Sequence, residues 1–178
     1  MKKYINSKYI SSICAVVFLG ISSISYAEGG FLGVQYGTLS SEDADMGNLG
    51  LVGGATITDN FSIEGQYTLT INEEDLGGGD SLETNSLGLY ATYKSVGNTY
   101  FKGRVGFARL EYDLDIVGGT LSGDTTGLSY GVGLGIVSGE SLVFEFEYTV
   151  YPELDEFDGA PAPDLDGNLA SVGILFKI

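Results

Sequence analysis

The chain has 178 residues, with 24 acidic against 8 basic ones, a net charge of −16, 28 glycines, three prolines, one cysteine and no histidine. So acidic a chain lacks the lysine and arginine that nucleic-acid phosphates or a polybasic membrane attachment require. An apolar share of 43% with 12% aromatics is too high for a disordered acidic chain.

The first predicted element is a leader. Lys2, Lys3 and Lys8 form a basic start, an apolar run covers 10–24, and Ser25-Tyr26-Ala27 follows. The run is short for a transmembrane helix, and the small residues Ser25 and Ala27 suit a signal-peptidase site, so residues 1–27 are expected to be a signal peptide cut after Ala27. A lipoprotein site at Cys14 fits less well. Ile13 before it is not the small residue such a site wants, and Cys14 lies inside the apolar run. Removal of the leader leaves residues 28–178. It takes the basic count from 8 to 5 against 24 acidic residues, a net charge of −19. With no cysteine or histidine in that part, disulfides, thiol chemistry, histidine bases and histidine metal sites are excluded.

Eight strands are predicted in chain order, at 31–40, 48–58, 61–71, 84–94, 99–112, 127–137, 142–151 and 167–178. The third shows the pattern best. Phe61, Ile63, Gly65, Tyr67, Leu69 and Ile71 alternate with Ser62, Glu64, Gln66, Thr68 and Thr70. A period of two marks a strand with one apolar and one polar face. In the sixth, Leu128, Tyr130, Val132, Leu134 and Ile136 oppose Gly127, Ser129, Gly131, Gly133 and Gly135. In the seventh, Leu142, Phe144, Phe146, Tyr148 and Val150 oppose Val143, Glu145, Glu147, Thr149 and Tyr151. Lengths near ten residues suit tilted transmembrane β-strands.

The connections alternate in length. Short ones are predicted at 59–60, 95–98 and 138–141, and long acidic ones at 41–47, 72–83, 113–126 and 152–166. Short turns on the periplasmic side and long loops outside are the asymmetry of an outer-membrane up-and-down barrel. The polar face is rich in small residues such as Gly33, Gly88, Gly106, Gly131 and Gly173, which suit the narrow lumen of eight strands. Bulky residues are therefore expected to face lipid. Phe61, Tyr93, Phe101 and Phe176 would form one interfacial girdle, and Tyr36, Tyr67, Phe107 and Tyr148 the other. The expected fold class is all-β, an eight-stranded antiparallel up-and-down transmembrane β-barrel.

Three runs carry a family resemblance: residues 100–108 (YFKGRVGFA), residues 127–135 (GLSYGVGLG) and the closing strand 171–178 (SVGILFKI). The chain resembles small outer-membrane barrels of the OmpA/OmpX type, also described as porin-family β-barrel domains. The resemblance covers the whole mature chain. It implies residence in the outer membrane of a Gram-negative bacterium, lipid as surroundings, and insertion by the barrel-assembly machinery through the C-terminal strand. Such chains commonly end in an aromatic residue, whereas this one ends in Ile178. A monomer is expected, with no periplasmic domain after the last strand.

Charged residues on the polar face lie at similar heights: Glu64, Lys102, Arg104, Glu145 and Glu147. Because buried charges need partners, they are expected to pair across the lumen and stiffen the barrel, with an ion gate as the alternative. No catalytic residue, cofactor or metal site is expected. Asp113-Leu114-Asp115 and Asp164-Leu165-Asp166 have D-x-D spacing without an EF-hand loop, so solvated loop tips account for them better than calcium does. The expected function is an integral outer-membrane barrel of structural or surface-interaction type, non-enzymatic, with weak porin activity as a secondary property. The alternatives are an adhesin acting through acidic loops, with an unidentified surface ligand, and a soluble secreted lipocalin-like binder.

Overall fold

Alternation of apolar and polar residues commits the chain to strands, and among the described residues two glycines with positive φ commit it to turns. Gly97 (φ 132°) and Gly139 (φ 73°) sit in the short connections, where a left-handed backbone lets neighbouring strands reverse tightly. The computed structural model describes residues 29–41, 44–72, 74–77, 80–116, 119–157, 160–165 and 167–178. The expected signal peptide lies outside them.

The strands are β1 (Gly29–Ser41), β2 (Ala44–Thr58), β3 (Phe61–Asn72), β4 (Glu74–Gly77), β5 (Asp80–Lys94), β6 (Thr99–Ile116), β7 (Gly119–Ser138), β8 (Leu142–Val150), β9 (Leu154–Phe157), β10 (Ala160–Leu165) and β11 (Asn168–Lys177). Every pairing between them is antiparallel. Around the wall the order is β1-β2-β3-β5-β6-β7-β8-β11, and β11 returns to β1. Reciprocal hydrogen bonds between Gly30 and Ile178, at 2.9 and 2.8 Å, finish that seam. Eight long strands thus close a barrel, and closure removes the sheet edges that lipid could not satisfy.

The bulky face points outward. Phe61, Phe101, Phe107, Tyr148 and Phe176 are exposed, Phe101 at 73%, while Ser62, Glu64, Gln66 and Thr68 are buried. A soluble barrel would have the opposite polarity, so the lipocalin-like alternative is not favoured. Phe61 and Tyr93, cross-strand partners in the girdle at the short-turn end, pack edge to face at 5.2 Å between ring centroids.

Two expectations need correction. The connections read as long loops are largely ladder. The β6–β7 hairpin stays paired out to Ile116 and Gly119, β5 begins at Asp80, and β9 with β10 forms a further hairpin. Outside lipid no apolar face is required, so Thr-, Gly- and Asp-rich sequence hid strands that backbone pairing alone sustains. Nor is the lumen only small and polar. Leu39, Met46, Leu110, Tyr112, Tyr151 and Leu169 make a buried cluster toward the long hairpins, and Phe31, Val52, Tyr100, Val143 and Leu175 make another toward the short turns. Glycines give the rings room. A Cβ on Gly135 would run into the Tyr100 ring, and one on Gly88 into Tyr90.

Candidate functional site

Between the two apolar clusters lies a layer of charge. It is built by strands from opposite sides of the wall. Glu64 comes from β3, Lys102 and Arg104 from β6, and Glu145 and Glu147 from β8. Each sits on the inward parity of its strand, which is why alternation alone picked them out. The structure brings all five together. The Lys102 ammonium stands 2.7 Å from Glu64 Oε2, 2.8 Å from Glu145 Oε2 and 2.7 Å from Glu147 Oε2. Its three N–H donors face three carboxylates, which is the full capacity of the group. Arg104 Nη2 lies 2.5 Å from Glu147 Oε1 and 2.6 Å from Thr149 Oγ1. The guanidinium also rests over the Tyr90 ring, 4.0 Å from its centroid.

Sequence reasoning missed a sixth member. Lys94, the last residue of β5, reaches Glu64 Oε1 at 3.1 Å and Glu145 Oε1 at 3.0 Å. Its position beside the turn disguised it as a solvated strand end. With Lys94 the cluster holds three cations and three carboxylates, so the lumen layer is electrically neutral. Neutrality matters because an uncompensated charge here would lack water to screen it. The Tyr100 hydroxyl donates to Glu145 Oε1. Polar side chains continue the layer outward. Gln66 Nε2 donates to the Tyr151 hydroxyl at 3.2 Å, Ser86 Oγ does so at the same distance, and Ser129 Oγ donates to the Val150 carbonyl at 2.7 Å.

This arrangement is chemically quiet. Each carboxylate is held by cations, and apolar clusters stand on both sides. No group of three or more acidic or cysteine ligands that could hold a metal ion occurs among the described residues. Asp113-Leu114-Asp115 is part of strand β6, paired with β7, and Asp166 of the other D-x-D segment lies outside the described residues. Water has room at the short-turn end, where a cavity of about 560 Å³ opens, floored by Lys94, Tyr100 and Glu145. Beyond the far cluster the β6–β7 hairpin continues outward. Past Phe107, β6 runs nine further residues to Ile116, about 30 Å of strand. On its outward face Glu83 stands opposite Asp113, and Glu111 opposite Asp124.

A family model described as outer membrane protein beta-barrel domain matches residues 11–177. No curated protein matches the chain in sequence. Solved structures with the same fold include Neisserial surface protein A, at 13% identity and TM-score 0.64, covering 84% of this chain and 96% of that one. OprG of Pseudomonas aeruginosa aligns at 14% identity and TM-score 0.65, covering 86% and 97%. Ail, the attachment invasion locus protein of Yersinia pestis, aligns at 14% identity and TM-score 0.59, covering 84% and 97%. At these identities the likeness is one of fold.

Proposed function

The chain belongs to the family of outer membrane protein β-barrel domains, and from that premise we propose that it is a closed, non-catalytic scaffold that displays an acidic β-structured surface outside the cell. It is an integral protein of the outer membrane of a Gram-negative bacterium. With the short turns in the periplasm, the β6–β7 hairpin stands on the extracellular side. The observation that carries the proposal is the filled lumen: a neutral six-charge layer between two buried apolar clusters. Such packing supports a rigid support and gives an ion little passage, so porin activity is a minor property at most. The non-catalytic part of the proposal is supported by the three lumen carboxylates, Glu64, Glu145 and Glu147, each of which is held by cations.

The acidic rows of the hairpin favour a surface-interaction role over a purely structural one. Glu111 and Asp124 share the Arg109 guanidinium, and with Glu83 and Asp113 on the same face that surface keeps a negative excess that suits a cationic partner. Ail was solved in complex with the heparin analogue sucrose octasulfate, and the acidic rows here would repel such a polyanion. Monomeric insertion in lipid, with assembly through β11, completes the proposal. Two measurements test it together. Planar-bilayer recordings of the purified barrel should show no steady open level. Glu83→Gln, Glu111→Gln, Asp113→Asn and Asp124→Asn together should abolish binding to a basic surface while the heat-dependent gel shift of a folded barrel persists. Steady conductance from the intact chain would overturn the closed-scaffold proposal.

A further inference from the structure

The Lys94 ammonium sits in surroundings that resemble a ligand site more than a simple ion pair. Two carboxylate oxygens approach it, Glu64 Oε1 at 3.1 Å and Glu145 Oε1 at 3.0 Å. Two aromatic rings flank it as well, with centroids at 4.6 Å for Phe31 and 5.5 Å for Tyr100. Carboxylates and ring faces together are the chemistry by which proteins hold organic ammonium ions. The Tyr100 hydroxyl donates to Glu145 and fixes that carboxylate beside the ring. The cage is also reachable. The Lys94 side chain is 21% exposed, against 2% for Lys102. It forms part of the lining of the 560 Å³ cavity, a volume within the range of small-molecule sites.

We infer that this cage is a cation site reached from the periplasm, that Lys94 is its tethered occupant, and that a free organic ammonium such as a polyamine takes the place of the Lys94 ammonium. The exchange conserves charge. One ammonium enters between Phe31, Tyr100, Glu64 and Glu145, and one leaves. Lys94 belongs to the last position of β5, next to the turn, so its four-carbon stem can swing into the cavity without disturbing the wall. Asp59 lines the same cavity and offers the displaced ammonium a carboxylate. Lys102 stays in place and keeps Glu64 and Glu145 partly neutralised, which limits the site to one added positive charge. A tethered occupant acts as a built-in competitor at high effective concentration, so the intact chain binds free amines weakly.

The test is a titration of the isotope-labelled barrel in detergent micelles with spermidine, and separately with tetramethylammonium, at physiological salt. Backbone amide shifts at Phe31, Tyr100 and Glu145 report on the cage, and shifts at Glu111 and Asp124 report on the outer acidic rows. For Lys94→Met the cage shifts should saturate at an amine concentration roughly tenfold or more below that of the unaltered chain. Adding Phe31→Leu should remove most of that gain for tetramethylammonium. The inference is overturned if both chains saturate alike, or if shifts stay confined to the outer acidic rows. Should Lys94→Met not fold, the unaltered chain decides. Saturable shifts at Phe31 and Tyr100 sustain the cage, and their absence ends it.

Discussion

Lys102 and Glu64 meet at 2.7 Å although β5 separates their strands in the barrel wall. The same ammonium reaches Glu145 and Glu147 on β8, past the intervening β7. Backbone ladders tie only neighbours, so this side chain braces strands that hydrogen bonding of the wall cannot. Replacing it by methionine keeps the volume and removes the charge. Lys102→Met is expected to destabilise the folded barrel by about 3–5 kcal/mol, because three buried carboxylates then share two cations. Urea unfolding in micelles, followed by gel mobility without heating, measures the loss. Adding Glu145→Gln should recover part of it, since one excess negative charge goes with it.

Arg104 and Arg109 lie on the same strand, in opposite surroundings. Arg104 is buried against Glu147, Thr149 and the Tyr90 ring. Arg109 is half exposed, 3.2 Å from Glu111 and 3.4 Å from Asp124. Arg104→Ala should therefore lower the thermal midpoint sharply, by the equivalent of about 3–5 kcal/mol. Arg109→Ala should change it by about 1 kcal/mol or less, and by less still at high salt. Equal effects in thermal melts would contradict the assignment of Arg104 to a buried pair.

Gly106 and Gly103 offer a paired test of the wall. A Cβ on Gly106 would collide with the Leu89 carbonyl oxygen of the neighbouring strand, whereas one on Gly103 meets nothing within 4 Å. Backbone cannot rotate away as a side chain can. Gly106→Ala should reduce the yield of heat-modifiable barrel several-fold in refolding trials. Gly103→Ala should refold like the original.

Leu110 is fully buried in the apolar cluster below the long hairpins, beside Met46 and Tyr112. Leu110→Ala should cost about 2–5 kcal/mol, the range for a leucine-sized cavity that cannot collapse. Chemical denaturation with an unchanged slope would confirm that only the packing is lost. A cost below 1 kcal/mol would mean that the cluster is loosely packed.

Lipid imposes the pattern that made this fold legible. Wherever a strand divides apolar surroundings from a packed lumen, as from Phe61 to Ile71, alternation exposes both its limits and its faces. The same parity named Glu64, Lys102, Arg104, Glu145 and Glu147 as inward. Lys94 escaped because it shares their face but ends its strand, where polarity also fits a turn. The fifth predicted strand stops short as well: it ends at Tyr112, the last residue of β6 in the buried cluster, and the ladder from Asp113 to Ile116 lies in an acidic stretch that reads as loop. The inward rings of Tyr90 and Tyr100 were equally hidden, because what admits them is empty space above Gly88 and Gly135.

The seam between β1 and β11 has a consequence in time. Gly30 and Ile178 are bonded to each other although nearly the whole chain lies between them. The first strand to be synthesised therefore waits for the last. Until β11 is available, β1 presents an unpaired edge, and long-range strand pairing of this kind forms slowly. Any partial chain is thus an open sheet with lipid-seeking residues in water. Closure of the wall therefore needs both terminal strands on hand together, and a chain held short of that point offers the edge of β1 to another copy of itself.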